Sequence, residues 1–288
     1  TVLAGNALEY ANGDGQRFGV FSDGLDASTC QAIAASLANG LAGGACGVSS
    51  DDRGLFFRLD SASAPVVIMG ADGSETPCAT VTEALRRQKN GETVQLRRDV
   101  AAVTLDADTV PAQLGKRELS IDLNGHVMAG LAVNTGDNVR AFSSTGDRQA
   151  AIRGYQLANR ACITYGGTGD LTLENVRVEG VSQGREGTAL RVSGSGAVTL
   201  DSVDMQMTSQ AVFSRGVYQE GGDADITVRR STIHACSDVS GVNVRGVVAT
   251  TTKGMLAISD SAVEADALDG STGAVECAGA LEATGSTL

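Results

Sequence analysis

Apolar and polar residues alternate in one short phrase that the second half of the chain spells five times. It reads LTLENVRV from Leu171, VTLDSVDM from Val198, ITVRRSTI from Ile226, LAISDSAV from Leu256 and LEATGSTL from Leu281. The starts lie 27, 28, 30 and 25 residues apart. In the first copy Leu171, Leu173 and Val178 fall on one side, and Thr172, Glu174 and Arg177 on the other. Alternation with a period of two predicts a half-buried strand. Asn175, Ser202 and Asp260 sit where the phrase must turn.

A second apolar run follows each full phrase. The runs are ALRV, GVYQ, VNVR and AVEC, which makes Leu190, Val217, Val244 and Val275 equivalent. Two or three strands in a coil of this length leave no room for a βαβ unit, which takes about 30 residues. The pattern therefore predicts an all-β protein, a parallel β-solenoid in which each coil pairs only with its neighbours. Its core would be columns of like residues. Leu171, Val198, Ile226, Leu256 and Leu281 form the first, Leu173, Leu200, Val228 and Ile258 the second. Val178, Met205, Ile233, Val263 and Leu288 form the third.

Upstream the pattern changes. Residues 1–63 read as a small N-terminal α/β element. It has strands at Phe18–Phe21 and Leu55–Leu59, and a helix from Asp26 or Ser28 to Leu41. The solenoid is expected over 64–288. Thr80 caps a short helix over about 80–89, with Glu83 placed as in a capping box. ETVQLRRDV then reads as a strand, and LSIDLNGHVM opens the regular coils from about residue 119. Ile121 is set level with Leu171 and Met128 with Val178, with an irregular coil containing Phe142 and Ile152 between them.

Composition narrows the function. The chain has 288 residues and a net charge of −12, which disfavours nucleic acid as a partner. No apolar run reaches 18 residues, so no membrane insertion is expected. Aromatic residues are 3% and Trp is absent, so sugar-stacking platforms are scarce. The six cysteines are scattered without a CxxC, and the two histidines are far apart, so no zinc site is expected. Cys30–Cys46 is the most plausible disulfide, and Cys277, level with Val192, reads as a small core residue. The chain opens without Met and closes inside a repeat phrase, as a piece of a larger polypeptide would.

The run ATVTEALRRQKNGETVQLRRDV followed by SIDLNGH resembles the opening of right-handed parallel β-helix domains of the pectin-lyase-like class. The matching positions are Val81–Gln88, Thr93–Val100 and Ile121–His126. The resemblance implies a right-handed parallel β-helix, and an extracellular or cell-surface setting in a bacterial adhesin-type protein or a polysaccharide-degrading enzyme.

Chemistry on such a fold belongs on the outward positions. One outward column is Asn124, Glu174, Asp201, Arg229 and Ser259. A second is Arg177, Asp204, Thr232 and Ala262, and a third is Glu179, Gln206, His234 and Glu264. The turn column is Gly125, Asn175, Ser202, Arg230 and Asp260. Glu174, Arg177, Asp201, Asp204, Arg229 and Asp260 are the candidate ligand-binding residues. Glu174 and Asp201, about 4.8 Å apart at the backbone, suit a Ca²⁺ ion or a glycosidase pair, with Arg229 as base or carboxylate clamp. The competing reading is ordinary charge pairing on a polar face. No strand of the repeats carries the adjacent Asp–Asp of the lyase and galacturonase families, and no His–Gly pair occurs. The expectation is a non-catalytic surface module that binds a glycan or a cell-surface protein. A polysaccharide lyase or glycoside hydrolase is the alternative.

Overall fold

A computed structural model of the chain describes residues 8–11, 17–20, 47–51, 54–58, 64–107, 115–145, 149–155, 161–183, 186–210 and 212–288. Among the described residues before Ala64, four strands form one antiparallel sheet. Its order is Leu8–Ala11, Arg17–Val20, Gly54–Arg58, Gly47–Asp51. The strands expected near Phe18 and Leu55 are thus present. The helix expected to end at Leu41 and the Cys30–Cys46 pair lie outside the described residues.

From Ala64 onward the chain is a parallel β-solenoid. Three ladders run along it, with ten, six and seven strands. The ten-stranded ladder contains Leu171–Glu174, Val198–Asp201, Ile226–Arg229, Met255–Ser259 and Ala280–Thr284 as successive parallel rungs. The six-stranded ladder carries the second half of each phrase, as in Arg177–Ser182 and Asp204–Ser209. The seven-stranded ladder carries the following run, as in Glu186–Val192 and Phe213–Gln219.

The inward columns stack as the alternation requires. Leu171, Val198, Ile226, Leu256 and Leu281 are direct partners in turn, and so are Leu173, Leu200, Val228 and Ile258. Val178, Met205, Ile233 and Val263 form the third column. From Leu171 to Val263 these residues belong to one buried cluster that runs through the solenoid. Each such side chain removed from water contributes about 1.5–3 kcal/mol before its lost freedom is subtracted.

Two registers differ from the sequence reading, both for the same reason. Ile121 stands level with Ala141 and Leu173, not Leu171, while Met128 does stand level with Ile152 and Val178. The turn between Ile121 and Met128 holds two extra residues and contains left-handed Asn124 and Gly125. Likewise Val247, not Val244, stands level with Val217 and Val275. Five residues, 238–242, join Ser237 to Asn243, where three join the equivalent strands before it. A two-residue insertion keeps the inward face inward, because the strand period is two.

The turn after each phrase is held by backbone shape and by serines. Asn175, Ser202, Arg230 and Asp260 have φ of 53°, 57°, 51° and 50°. Four non-glycine residues in the left-handed region, one per coil, mark a turn that the stacking imposes. Directly after it, Ser231 Oγ accepts from the Val203 amide at 3.0 Å, Ser261 Oγ from Ser231 at 3.1 Å and Ser286 Oγ from Ser261 at 3.2 Å. On the far side of the coil, Tyr165 donates to Gly169 O at 2.5 Å and accepts from Gly196 N at 2.8 Å. A Cβ on Gly196 would lie 1.9 Å from Gly169 O, so only glycine fits there.

The helix Val81–Arg87 packs Val81, Ala84 and Leu85 on the first coil. Thr80 caps it by accepting from the Glu83 amide at 3.1 Å. Glu83 reaches back to the amide of Ala79, one residue before the cap, at 3.0 Å. Beside the helix, Val66–Met69 pairs antiparallel with both Glu75–Cys78 and Thr93–Leu96, so this end does not present a parallel coil.

Burial grades the columns. Leu200 is fully buried while Leu281, in the last rung of the neighbouring column, is 44% exposed. Leu200→Ala is expected to cost about 2–5 kcal/mol in urea unfolding, and Leu281→Ala less than about 1 kcal/mol.

Candidate functional site

The outward face of the ten-stranded ladder places Asp122, Phe142, Glu174, Asp201, Arg229 and Ser259 in one column. Asn124, expected in that column, lies in the lengthened turn instead. Asp122 takes its place and is buried. It accepts from Gln95 Nε2 at 3.0 Å and from the Ser144 hydroxyl at 2.6 Å.

Glu174 and Asp201 occupy neighbouring rungs, as the spacing predicts, but their carboxylates turn apart. Glu174 faces the preceding coils, where Arg140 donates to one of its oxygens through Nε at 3.0 Å and Nη2 at 2.7 Å. The Arg140 guanidinium in turn lies 3.9 Å from the centre of the Phe142 ring. Asp201 faces the following coil. Arg229 Nη2 lies 2.8 Å from one oxygen, and Arg230 Nη2 donates to both at 2.5 Å. Ser202 adds a donor at 3.2 Å. The two arginines leave Asp201 only 5% exposed although it points outward.

Arg177 and Asp204 stand level on the six-stranded ladder, across the left-handed turn from that column. Arg177 pairs with Glu179 on its own strand, and its Nε lies 3.6 Å from Asp204. Arg153 donates to Glu179 at 2.5 Å from the coil before. In each of these two columns an arginine thus stands one rung before a carboxylate. Asp260 lies one rung beyond Arg230 in the turn column. Five of the six candidates therefore form two strips divided by the turn that holds Asp260, and those five are engaged in ion pairs.

Arg140 and Asp122 were not singled out by the sequence, and Arg230 was named only in the turn column. Arg140 stood in a coil whose pattern is irregular. Arg230 was legible as a turn residue, but its reach to Asp201 depends on the left-handed backbone that aims its side chain back along the axis. Arg117 and Asp137 form a further buried pair, with Nη2 2.6 Å from the carboxylate, and no repeat signal marks either residue.

His126 stands level with Ala150 and Val176 and is half-exposed, with Nδ1 3.7 Å from Asp99. His234 Nε2 meets Asp266 at 2.9 Å. Among the described residues no three of His, Cys, Asp and Glu gather closely enough to hold a metal ion. No helix there is long and apolar enough to cross a membrane. Cys277 stands level with Val192 through Gln219 and Ala249, half-buried against the core. Cys78, Cys162, Cys236 and Cys277 are all free thiols.

The fold defines the protein's class as a parallel β-solenoid with a charge-paired outer face. Compared with known proteins, the chain matches no protein family, no curated protein and no solved structure. The parallel β-solenoid expected from the repeat is present, and no comparison ties it to the pectin-lyase-like class.

Two measurements test these assignments. Asp201→Asn should lose about 1–3 kcal/mol of stability, since two arginines then face a neutral partner. Glu174→Gln, at a more exposed pair, should lose less than about 1 kcal/mol. Burial pushes the Cys78 thiol up to about 12 and the Cys162 thiol up to about 11. Both should thus stay protonated at pH 8 and resist iodoacetamide until the protein is unfolded, as read by mass spectrometry of the labelled peptides.

Proposed function

We propose that this chain is a non-catalytic, surface-exposed module of a larger exported bacterial protein, of the right-handed pectin-lyase-like type. It serves as an adhesin segment, a stalk or a binding platform for a glycan or a cell-surface protein. Its setting on this reading is extracellular or at the cell surface.

The observation that supports this reading is the fate of the Glu174–Asp201 pair. A glycosidase needs two carboxylates facing one bond, about 5–10 Å apart, with one free to hold a proton. Here each carboxylate is taken up by arginines of a different coil, and Asp201 is covered by two of them. Such pairing suits a rigid rod whose outer groups fasten one coil to the next.

The test incubates the full chain with a panel of acidic and neutral polysaccharides, with Ca²⁺ and with chelator. Calcium is included because Glu174 and Asp201 are the pair that the sequence suggests for it. The expected outcome is no new oligosaccharide by mass spectrometry under either condition. Products that disappear in Glu174→Gln or Asp201→Asn would replace this reading with a polysaccharide lyase or glycoside hydrolase.

A further inference from the structure

Arg215 breaks the rule of paired charge on the outer face. It lies on the strand Phe213–Gln219 of the seven-stranded ladder, with a rung on either side. Only 9% of it is exposed. Its Nη1 is buried and has no hydrogen-bond partner. Glu186 Oε2, on the preceding rung, lies 3.6 Å away, too far to accept a hydrogen bond. The other arginines of this ladder are satisfied. Arg191 Nε donates to Glu220 at 2.6 Å, and Arg245 donates to Glu276 at 3.2 Å and to Ser271 O at 2.8 Å. A buried guanidinium with an unmade bond is costly, and it calls for a partner that the described residues do not supply.

The strand also brings aromatic rings to this arginine. Arg215 is level with Thr188 and Arg245, and Val217 with Leu190 and Val247, while Gly216 between them has no register partner. A Cβ on Gly216 would lie 2.3 Å from Ile233, so Gly216 turns inward like the buried Val217 beside it. Two successive inward residues leave Arg215 and Tyr218 on the same outer side. The guanidinium carbon lies 4.3 Å from the centre of the Phe213 ring and 4.1 Å from that of Tyr218. Both aromatic residues are half-buried, so part of each stays open to water. Residues 64–288 contain five aromatic residues, and here two of them meet one arginine.

The chemistry of the patch selects its ligand. A guanidinium takes a carboxylate through two parallel hydrogen bonds. The rings beside it take an apolar group. The strand is already paired on both sides, so no peptide strand can add here. Glu186 and Glu276 lie on rungs of the same ladder, Glu220 directly follows its strand, and the chain carries a net charge of −12, which disfavours a polyanion.

We infer that Arg215, Phe213 and Tyr218 form a binding site for a terminal sugar acid of the sialic-acid type, which carries one carboxylate and one N-acyl group on a single ring. The sugar's carboxylate displaces that of Glu186, whose side chain is 38% exposed and turns aside into water, and closes the bond left open at Nη1. Its N-acyl methyl lies against the rings. The inference rests on the chain being a non-catalytic binding module and names the glycan it takes.

The probe is sialyllactose, titrated into the full 288-residue chain and followed by saturation-transfer NMR. Saturation is expected on the N-acetyl methyl. None is expected on lactose, or on sialyllactose whose carboxylate has been converted to the amide. Arg215→Lys keeps the charge and loses the planar fork, and should weaken binding about tenfold. Glu186→Gln removes the competing carboxylate and should tighten binding about threefold. Phe213→Ala should weaken it about fivefold. Phe213 and Glu186 are partly exposed, so these two variants carry the test if Arg215→Lys fails to fold. If Arg215 and Glu186 are only a structural pair, Glu186→Gln lowers Tm and sialyllactose binds neither the parent chain nor the variant. That result would overturn the inference, and so would equal binding of lactose or binding unchanged by Arg215→Lys. A galacturonate oligomer or a short aspartate peptide that binds more tightly than sialyllactose would overturn it as well. The polysaccharide digestion assay is read separately. Absence of products with absence of sialyllactose binding removes this site and leaves the non-catalytic reading standing. New products remove that reading whether or not sialyllactose binds.

Discussion

Everything in this solenoid depends on one constraint: a coil can bury its inward residues only against the coil beside it. Leu173 has a floor because Ala141 lies below it and a roof because Leu200 lies above. Backbone amides obey the same rule, since the ladder bonds run between coils and not within them. Stability is then a sum over neighbouring interfaces, and no coil is a folding unit alone. The helix Val81–Arg87 and its antiparallel hairpin meet this constraint at one end by covering the first coil with something that is not a coil.

The outer face obeys a related rule with charges. An isolated surface ion pair contributes little. Here the backbone has already brought the partners to neighbouring rungs, so less freedom is lost when a pair closes. That is why Asp201, directed at solvent by its place in the strand, ends nearly as buried as a core residue. The same arrangement draws its charge away from chemistry. An arginine that neutralises a carboxylate from the next coil makes it a fastener, and the outer face becomes a surface of satisfied pairs.

The part of this that was legible in the sequence was the part with a period. The five phrases carry the strand positions, the three inward columns and the turn at Asn175, Ser202, Arg230 and Asp260. Registers failed where a turn changed length, at Leu123–Gly125 and at residues 238–242, because alternation within a strand says nothing about how many residues join it to the next. For the candidate site, adjacency was legible and orientation was not. Glu174 and Asp201 are on neighbouring rungs as the spacing requires. Which way each carboxylate turns is decided by Arg140, Arg229 and Arg230. Arg140 lies in the irregular coil between Asn138 and Tyr155, where the repeat is too faint to align.

Those two lengthened turns carry a consequence for how such a protein diversifies. Each admits extra residues while the strands on either side keep their faces, with Leu123 in one and Val242 in the other still packed inward. New sequence at the outward positions of these turns, with Leu123 and Val242 kept, leaves the interior in place, much as display loops are carried on a fixed support. A lineage built on this plan would vary at its corners and conserve its flats.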